Sequence, residues 1–285
     1  MSVVLIPVLY ALFLWWFSTG LLLYIDGLRK ATFPWSMAIM SAIAVLALYG
    51  LRATHDDASA LGAFCAFSCA LLIWAWHELS FLLGYLTGPR RTPLPEGVGG
   101  LRRFWLATQT LIFHELAILA TVIAIAVLLR GGSNQVGLWT FVALWLMRLS
   151  AKMNIFLGVP NLSEELLPAH LRYLKSYFRR RPINLLFPFS VTISSAVAGW
   201  LVYEALAPHA TPFTTTGDLL IAALLALAAI EHWFLILPVR DSALWRWALR
   251  SHKQRRAEAS SDCPPQRVIV SSNVVKATAS VIRSG

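Results

Sequence analysis

The sequence predicts an all-α membrane protein: a polytopic bundle of about seven transmembrane helices, with the N-terminus periplasmic and the C-terminus cytoplasmic. Composition is the first observation, because 58% of the 285 residues are hydrophobic and only 13% are charged, against roughly 45–50% and about 25% in soluble domains. Mean hydropathy is +0.64. One core of this size cannot bury so much apolar surface, so most of it must face lipid. A water-soluble globular protein is therefore excluded.

Long apolar runs are the second observation. A transmembrane helix needs about 20 residues, and a helix satisfies its own backbone hydrogen bonds in hydrocarbon. The runs are too long for barrel strands, which need about 10 residues each. The seven predicted spans are residues 3–24, 34–51, 60–86, 104–129, 136–158, 184–206 and 218–238.

The distribution of basic residues is the third observation, and it orients the bundle. Twenty of the 24 Lys and Arg residues lie in the loops after spans one, three and five or in the C-terminal tail, whereas Arg52 and Arg130 lie on the other side. Positive charge in loops marks the cytoplasmic side of a membrane. Topology therefore explains the net charge of +10, and no nucleic-acid partner is expected.

The chain is predicted to contain one membrane domain and a two-part tail. Residues 1–240 form the helical bundle, with cytoplasmic loops at 87–103 and 159–183. Residues 241–256 are typical of a basic amphipathic segment on the membrane surface. Residues 257–285 are rich in Ser and show no helical period, so they are predicted to be disordered.

The second cytoplasmic loop contains an amphipathic basic stretch. Leu171, Leu174 and Phe178 recur at helical spacing among basic residues, as in a helix that lies on anionic lipids. A protein-docking face is the alternative. The basic residues assigned to the membrane surface are Arg172, Lys175, Arg179, Arg180 and Arg181.

Ionisable side chains inside the predicted spans carry the functional information. Such a residue costs about 3 kcal/mol at the bilayer centre, so it normally faces the bundle interior and has a partner. Counted from the cytoplasmic ends of their spans, eight of them share one layer, roughly 9–17 Å below the surface by helix rise. We call them the polar layer: His77, Glu78, His114, Glu115, Arg148, Lys152, Glu231 and His232.

Two interpretations of the polar layer need no pigment. In a structural network, the three carboxylates pair with the two cations and the imidazoles. In a metal site, His and carboxylate side chains from several helices hold an ion. The Glu-x-x-His and HExxH patterns are absent and the two cations repel a metal ion, so a metal is the less favoured cofactor. The candidate metal ligands are His77, Glu78, His114, Glu115, Glu231 and His232.

A tetrapyrrole pocket is the third interpretation. A neutral imidazole can ligate the metal of a macrocycle, and indoles can stack on its face. Trp74, Trp76, Trp145 and Trp233 lie near the polar layer, although ordinary packing also explains them. An ion or proton path is open as well. No catalytic residues are recognisable in any of these patterns.

Four segments of the sequence carry a family resemblance. They are WFSTG at 16–20, WHELSFLLGYLTGPRRTP at 76–93, FHEL at 113–116 and the long segment 147–188. Over about residues 3–245 the chain resembles the PuhE family of photosynthetic-complex assembly proteins. These occur in purple and related phototrophic bacteria and are encoded beside the gene for the reaction-centre H subunit.

The resemblance implies a multi-pass protein of the cell inner membrane, including the intracytoplasmic photosynthetic membrane where present. It also implies a role in assembling the reaction centre and light-harvesting 1 complex, whose subunits become the expected partners, or in supplying bacteriochlorophyll to them. We therefore predict a binding protein whose polar layer receives bacteriochlorophyll, a precursor or a partner helix, while the basic loop docks on anionic lipids. The alternative is an intramembrane metal-dependent enzyme that modifies a bacteriochlorophyll precursor.

Overall fold

The computed structural model describes residues 2–162, 167–238, 244–245 and 247–248. Within these residues the chain is helical and contains no strand. The α-helices are α1 (Ser2–Asp26), α2 (Phe33–Ala53), α3 (Ala60–Leu82), α4 (Gly100–Thr108), α5 (Ile112–Leu128), α6 (Val136–Leu157), α7 (Leu186–Ala205) and α8 (Pro212–Phe234), and 3₁₀ helices occur at Lys30–Thr32 and Ala169–Tyr177.

Six of these helices are long and apolar enough to cross a membrane, namely α1, α2, α3, α6, α7 and α8. The predicted fold class is therefore confirmed. Large apolar side chains such as Leu46, Leu61 and Ile193 remain exposed on the bundle surface. Such side chains are expected where a helix faces acyl chains rather than water.

The predicted fourth span, residues 104–129, is not one straight helix. It is broken into α4 and α5, which are bent by 63° relative to each other. The preceding loop packs on the break, since the Arg90 amide donates to the Gln109 carbonyl at 3.2 Å and a Cβ on Gly88 would overlap that backbone. The 17 residues of α5 span about 26 Å, close to the roughly 30 Å of a hydrocarbon core. Taken as one bent span, the pair brings the total to seven.

Helices α3 and α8 form the centre of the bundle. Helix α3 contacts α1, α2, α5, α6 and α8, and α8 contacts α1, α3, α6 and α7. Glycines allow two of these close approaches, because a Cβ on Gly137 of α6 would press on Ala66 of α3 and one on Gly217 of α8 would overlap Val136 of α6. The central pair therefore positions the side chains of the candidate site.

We call the end of the bundle where α1, α3, α6 and α8 terminate the basic side. The opposite side is held together by Asn134, which lies between α5 and α6. Its amide donates to the carbonyls of Thr54, Asp57 and Gly62 at 3.1–3.2 Å. Its Oδ1 accepts from the Val136 amide. One side chain thus joins the α2–α3 connection to the α5–α6 connection.

On the basic side, the second loop folds against the bundle. Its basic stretch is helical over Ala169–Tyr177, as a 3₁₀ helix rather than an α-helix. Residues three apart eclipse in a 3₁₀ helix, which places Leu171, Leu174 and Tyr177 on one buried face. Leu171 and Leu174 pack on Phe81 of α3, so this apolar face covers the bundle rather than lipid.

The basic residues of this loop remain outside that buried face. Their contact with anionic lipids stays a prediction. The residues that are partly or fully exposed are Arg172, Lys175, Arg179, Arg180 and Arg181.

The two basic-side loops are tied to each other. Arg90 Nε donates to the Tyr177 hydroxyl at 2.6 Å, and that hydroxyl donates to the Thr92 carbonyl at 3.0 Å. Arg103 of α4 is buried and donates to the carbonyls of Phe156 and Tyr177. These contacts close the basic side over the helix ends.

Four residues of the predicted surface segment 241–256 are described, and we call them the aromatic segment: Leu244, Trp245, Trp247 and Ala248. The aromatic segment packs on α1. The Trp245 indole donates to the Trp16 carbonyl at 3.1 Å, and the Trp16 indole donates to the Leu244 carbonyl at 3.2 Å. The other residues of 241–256, and the predicted disordered tail 257–285, lie outside the described residues.

Candidate functional site

The structure places the polar layer close to the helix ends on the basic side. Its members lie two to nine residues from the ends of α3, α5, α6 and α8, or about 3–14 Å by helix rise. This depth is smaller than predicted because α3 and α8 end four residues before the predicted spans do. In addition, α5 begins only two residues before His114.

Two ion pairs join α6 to its neighbours. Arg148 Nη2 lies 3.1 Å from Glu78 Oε2 of α3, and Lys152 Nζ lies 2.7 Å from Glu115 Oε1 of α5. Trp145 Nε1 donates to the second Glu115 oxygen at 3.1 Å. Because they are four residues apart, Arg148 and Lys152 share one face of α6. These are the contacts that a structural network requires.

A cavity of about 410 Å³ lies beside the two ion pairs. Its volume falls within the range of about 300–1,000 Å³ that small-molecule sites occupy. Helices α1, α3, α6 and α8 supply its walls, and Leu174 and Tyr177 of the second loop cover it on the basic side. The lining is mainly apolar and includes the aromatic side chains of Trp15, Trp74 and Phe81.

Four members of the polar layer line this cavity: Glu78, Arg148, Lys152 and Glu231. The Arg148 side chain is 48% exposed whereas its partner Glu78 is 11% exposed, so the guanidinium is the more accessible member of the pair. Glu231 of α8 accepts a hydrogen bond from Trp15 Nε1 of α1 at 3.0 Å. The charged side chains of the cavity thus come from three helices.

The three histidines of the polar layer do not line the cavity. His77 Nε2 lies 3.0 Å from Thr121 Oγ1, and the rings of His77 and His114 are 6.3 Å apart between α3 and α5. His114 is fully buried beside Phe81, and neither of its ring nitrogens has a hydrogen-bond partner among the described residues. A macrocycle in the cavity would therefore meet indoles and cations rather than an imidazole.

His232 belongs to a separate contact between α6, α7 and α8. Its Nδ1 lies 2.8 Å from the Ala228 carbonyl and its Nε2 lies 2.9 Å from Ser150 Oγ. Ser190 of α7 accepts from Ser150 at 2.8 Å and from the Asn154 amide at 3.1 Å. His232 therefore takes part in helix packing between α6, α7 and α8. The contact between His77 and His114 is a separate one.

The candidate metal ligands are not brought together. In the described part of the chain, no group of three or more His, Cys, Asp or Glu side chains is placed to hold a metal ion. Neighbouring helix positions point about 100° apart at 3.6 residues per turn, so His77 contacts Thr121 while Glu78 contacts Arg148. The geometry of these residues gives a metal site no support.

The cavity is confined to the half of the bundle near the basic side. Its α3 lining begins at Leu71 and its α6 lining begins at Ala143. Toward the opposite side, a buried core that includes Phe67, Phe141 and Leu220 fills the space between the helices. The described residues therefore form a pocket rather than a conduit across the bundle.

Several partners in this site could not be identified from sequence. Nothing distinguishes Trp15 as the donor to Glu231, because the chain has 12 tryptophans. Ser150 and Asn154 offered a weak signal, since polar residues four apart share a helix face. Ser190 and Thr121 gave none. Their roles depend on which helices pack together.

Comparison with known proteins identifies the family. A family model described as "Protein of unknown function (DUF3623)" matches residues 1–256. A Rhodobacter capsulatus relative, described as "Uncharacterized 30.4 kDa protein in puhA 5'region", is 38% identical over 269 residues, covering 92% of this chain and 96% of the relative. No solved structure matches the chain. The relative's place in the puhA 5' region is consistent with the resemblance to the PuhE family, and the chain belongs to the DUF3623 family.

Proposed function

We propose that this protein is an inner-membrane assembly factor for the photosynthetic reaction centre and light-harvesting 1 complex, and that it binds bacteriochlorophyll or a precursor in the cavity. Similarity to the Rhodobacter capsulatus protein in the puhA 5' region supports a photosynthetic role. The resemblance of segments 76–93 and 147–188 to the PuhE family supports assembly as that role. The subunits of the two complexes are its proposed partners.

The cavity is the observation that carries this proposal. A small-molecule site needs a mainly apolar, largely preformed space with a few placed polar groups, and this cavity has both. A transmembrane partner helix fits less well, because Leu174 and Tyr177 cover the cavity on the basic side and a buried core that includes Phe67 and Phe141 closes it toward the opposite side. A bound small molecule is therefore the better occupant.

The positive charge of the basic side indicates how the protein is oriented in the membrane. Positive loops mark the cytoplasmic face, and the exposed arginines of the second loop are suited to an anionic leaflet. The protein would then take up or release its ligand in the cytoplasmic half of the membrane. We infer that the reaction-centre and light-harvesting subunits meet it at that level.

Purification from a pigmented host in mild detergent tests the binding step. We expect tetrapyrrole absorbance to accompany the wild-type protein. Ala151→Trp should abolish that absorbance, since Ala151 lines the cavity. Gly199→Trp is the matched control, because Gly199 is exposed, lies outside the cavity lining and has open space at its Cβ position. Wild-type protein without pigment, or Ala151→Trp protein with normal pigment, would contradict the proposal.

A deletion strain separates assembly from the alternative enzymatic role. Missing complexes with a normal pigment pool indicate an assembly factor, as we expect. An accumulated bacteriochlorophyll precursor indicates chemistry on that precursor and would overturn the proposal. No described cluster of metal-binding side chains favours the metal-dependent enzyme.

A further inference from the structure

The cavity offers hydrogen-bond donors on one wall. A guanidinium has five N–H donors and an ammonium has three. Among the described residues, Arg148 uses one donor on Glu78 and Lys152 uses one on Glu115. Both cations line the cavity, one helical turn apart and about 5–6 Å between their Cβ atoms. Donors therefore remain on both side chains for an oxygen of a bound molecule.

The charges of these donors are already compensated. Arg148 and Lys152 each lie within 3.1 Å of a carboxylate oxygen, so the two pairs together are formally neutral. A phosphate or a free carboxylate placed here would gain donors but would also approach Glu78 and Glu231, the carboxylates that line the cavity. Because the surroundings are apolar, that like-charge repulsion is poorly screened. An uncharged carbonyl or ester oxygen accepts the same hydrogen bonds without this cost.

The rest of the cavity lining indicates that most of the ligand is apolar. The apolar side chains that line the cavity include Leu71, Trp74 and Leu225, which favour a hydrophobic frame. Resting on the proposed function, we propose that the ligand is an uncharged amphipathic molecule whose carbonyl or ester oxygens accept hydrogen bonds from Arg148 and Lys152. This donor pair selects esterified, carbonyl-bearing pigments over anionic lipids.

Binding of bacteriochlorophyll a to the purified full-length protein in detergent tests the proposal. The main variant is the double substitution Glu78→Gln with Arg148→Met, because removing both partners leaves no uncompensated buried charge. Its affinity should fall at least about ten-fold, as expected for loss of a hydrogen bond to a charged donor. Arg52→Met, on the opposite side of the bundle, makes the same chemical change outside the cavity and should bind normally.

A second variant covers the case in which the double variant fails to fold. Arg148→Lys keeps the charge next to Glu78 but loses the planar set of donors, and it should also weaken binding. The anionic competitor is phosphatidylglycerol in molar excess over the pigment. It should not displace bacteriochlorophyll a from wild-type protein.

The outcomes separate the two proposals. If wild-type protein binds the pigment and the Arg148 variants bind it equally well, this inference is wrong while the proposed function stands. Displacement by phosphatidylglycerol would also overturn it, because the donor pair would then serve an anionic headgroup. Wild-type protein that binds no pigment would remove the proposed function and this inference together.

Discussion

Removing the Lys152 ammonium should destabilise the bundle, because it leaves the Glu115 carboxylate buried without its cation. The two side chains are only 18% and 14% exposed. Breaking such a buried pair by deleting one partner costs about 3–5 kcal/mol. Trp145 retains its hydrogen bond to Glu115, so we expect Lys152→Met to lower the free energy of unfolding by about 3 kcal/mol. Steric trapping in bicelles measures this quantity for a membrane protein.

Two further variants make that measurement decisive. Combining Glu115→Gln with Lys152→Met should recover most of the loss, since replacing both members of a buried pair is often close to neutral. Glu204→Gln is the matched control, because its contact with His209 is exposed at 35% and 77% and should change stability by less than about 1 kcal/mol. A loss at Lys152 as small as that of the control would refute the reasoning.

Three other variants test packing contacts elsewhere in the bundle. Gly20→Val should displace Trp247 and raise acrylamide quenching of tryptophan fluorescence, because the new side chain overlaps the indole; Gly199→Val, in open space, should not change quenching. Asn184→Ala should lower the free energy of unfolding in bicelles by about 1–2 kcal/mol, because its Oδ1 caps the first two amides of α7; unchanged stability would contradict this capping role. Asn134→Ala should cost at least about 2 kcal/mol in the same assay, because three carbonyls lose their donor, and a loss below about 0.5 kcal/mol would show that the two connections hold without it.

The sequence predicted the membrane architecture well because span length and hydropathy follow from bilayer thickness. It failed at residues 109–111, where α4 and α5 separate. Helix α4 is much less hydrophobic than α5, but its apolar residues Phe104, Trp105 and Leu106 extended the predicted span across the break. The contact that accommodates the break comes from Gly88 in a different loop. A tertiary contact of that kind leaves no local signal.

The basic stretch after Pro168 shows a second limit of periodicity. Leu171 and Leu174 fit both an α-helix and a 3₁₀ helix, because i and i+3 share a face in each. The sequence also cannot tell whether such a face meets lipid or protein. Here it packs on Phe81, whose position depends on where α3 ends.

For the candidate site, the sequence identified ionisable residues but not their grouping. The two ion pairs of Arg148 and Lys152 follow from charge and similar depth. The hydrogen bond from His232 to Ser150 could not be predicted in this way, because it depends on the rotation of α8 about its axis. The cavity itself is formed by four helices and no local sequence pattern marks it.

Complex assembly in a phototrophic strain that carries Ala151→Trp as its only copy tests the central claim most directly. The substitution places an indole at a residue that lines the cavity and removes no member of the two ion pairs. With the variant protein present at the wild-type level, we predict that reaction-centre and light-harvesting 1 complexes fall to the amount found in the deletion strain. Wild-type amounts of both complexes would contradict the claim that the cavity performs the function.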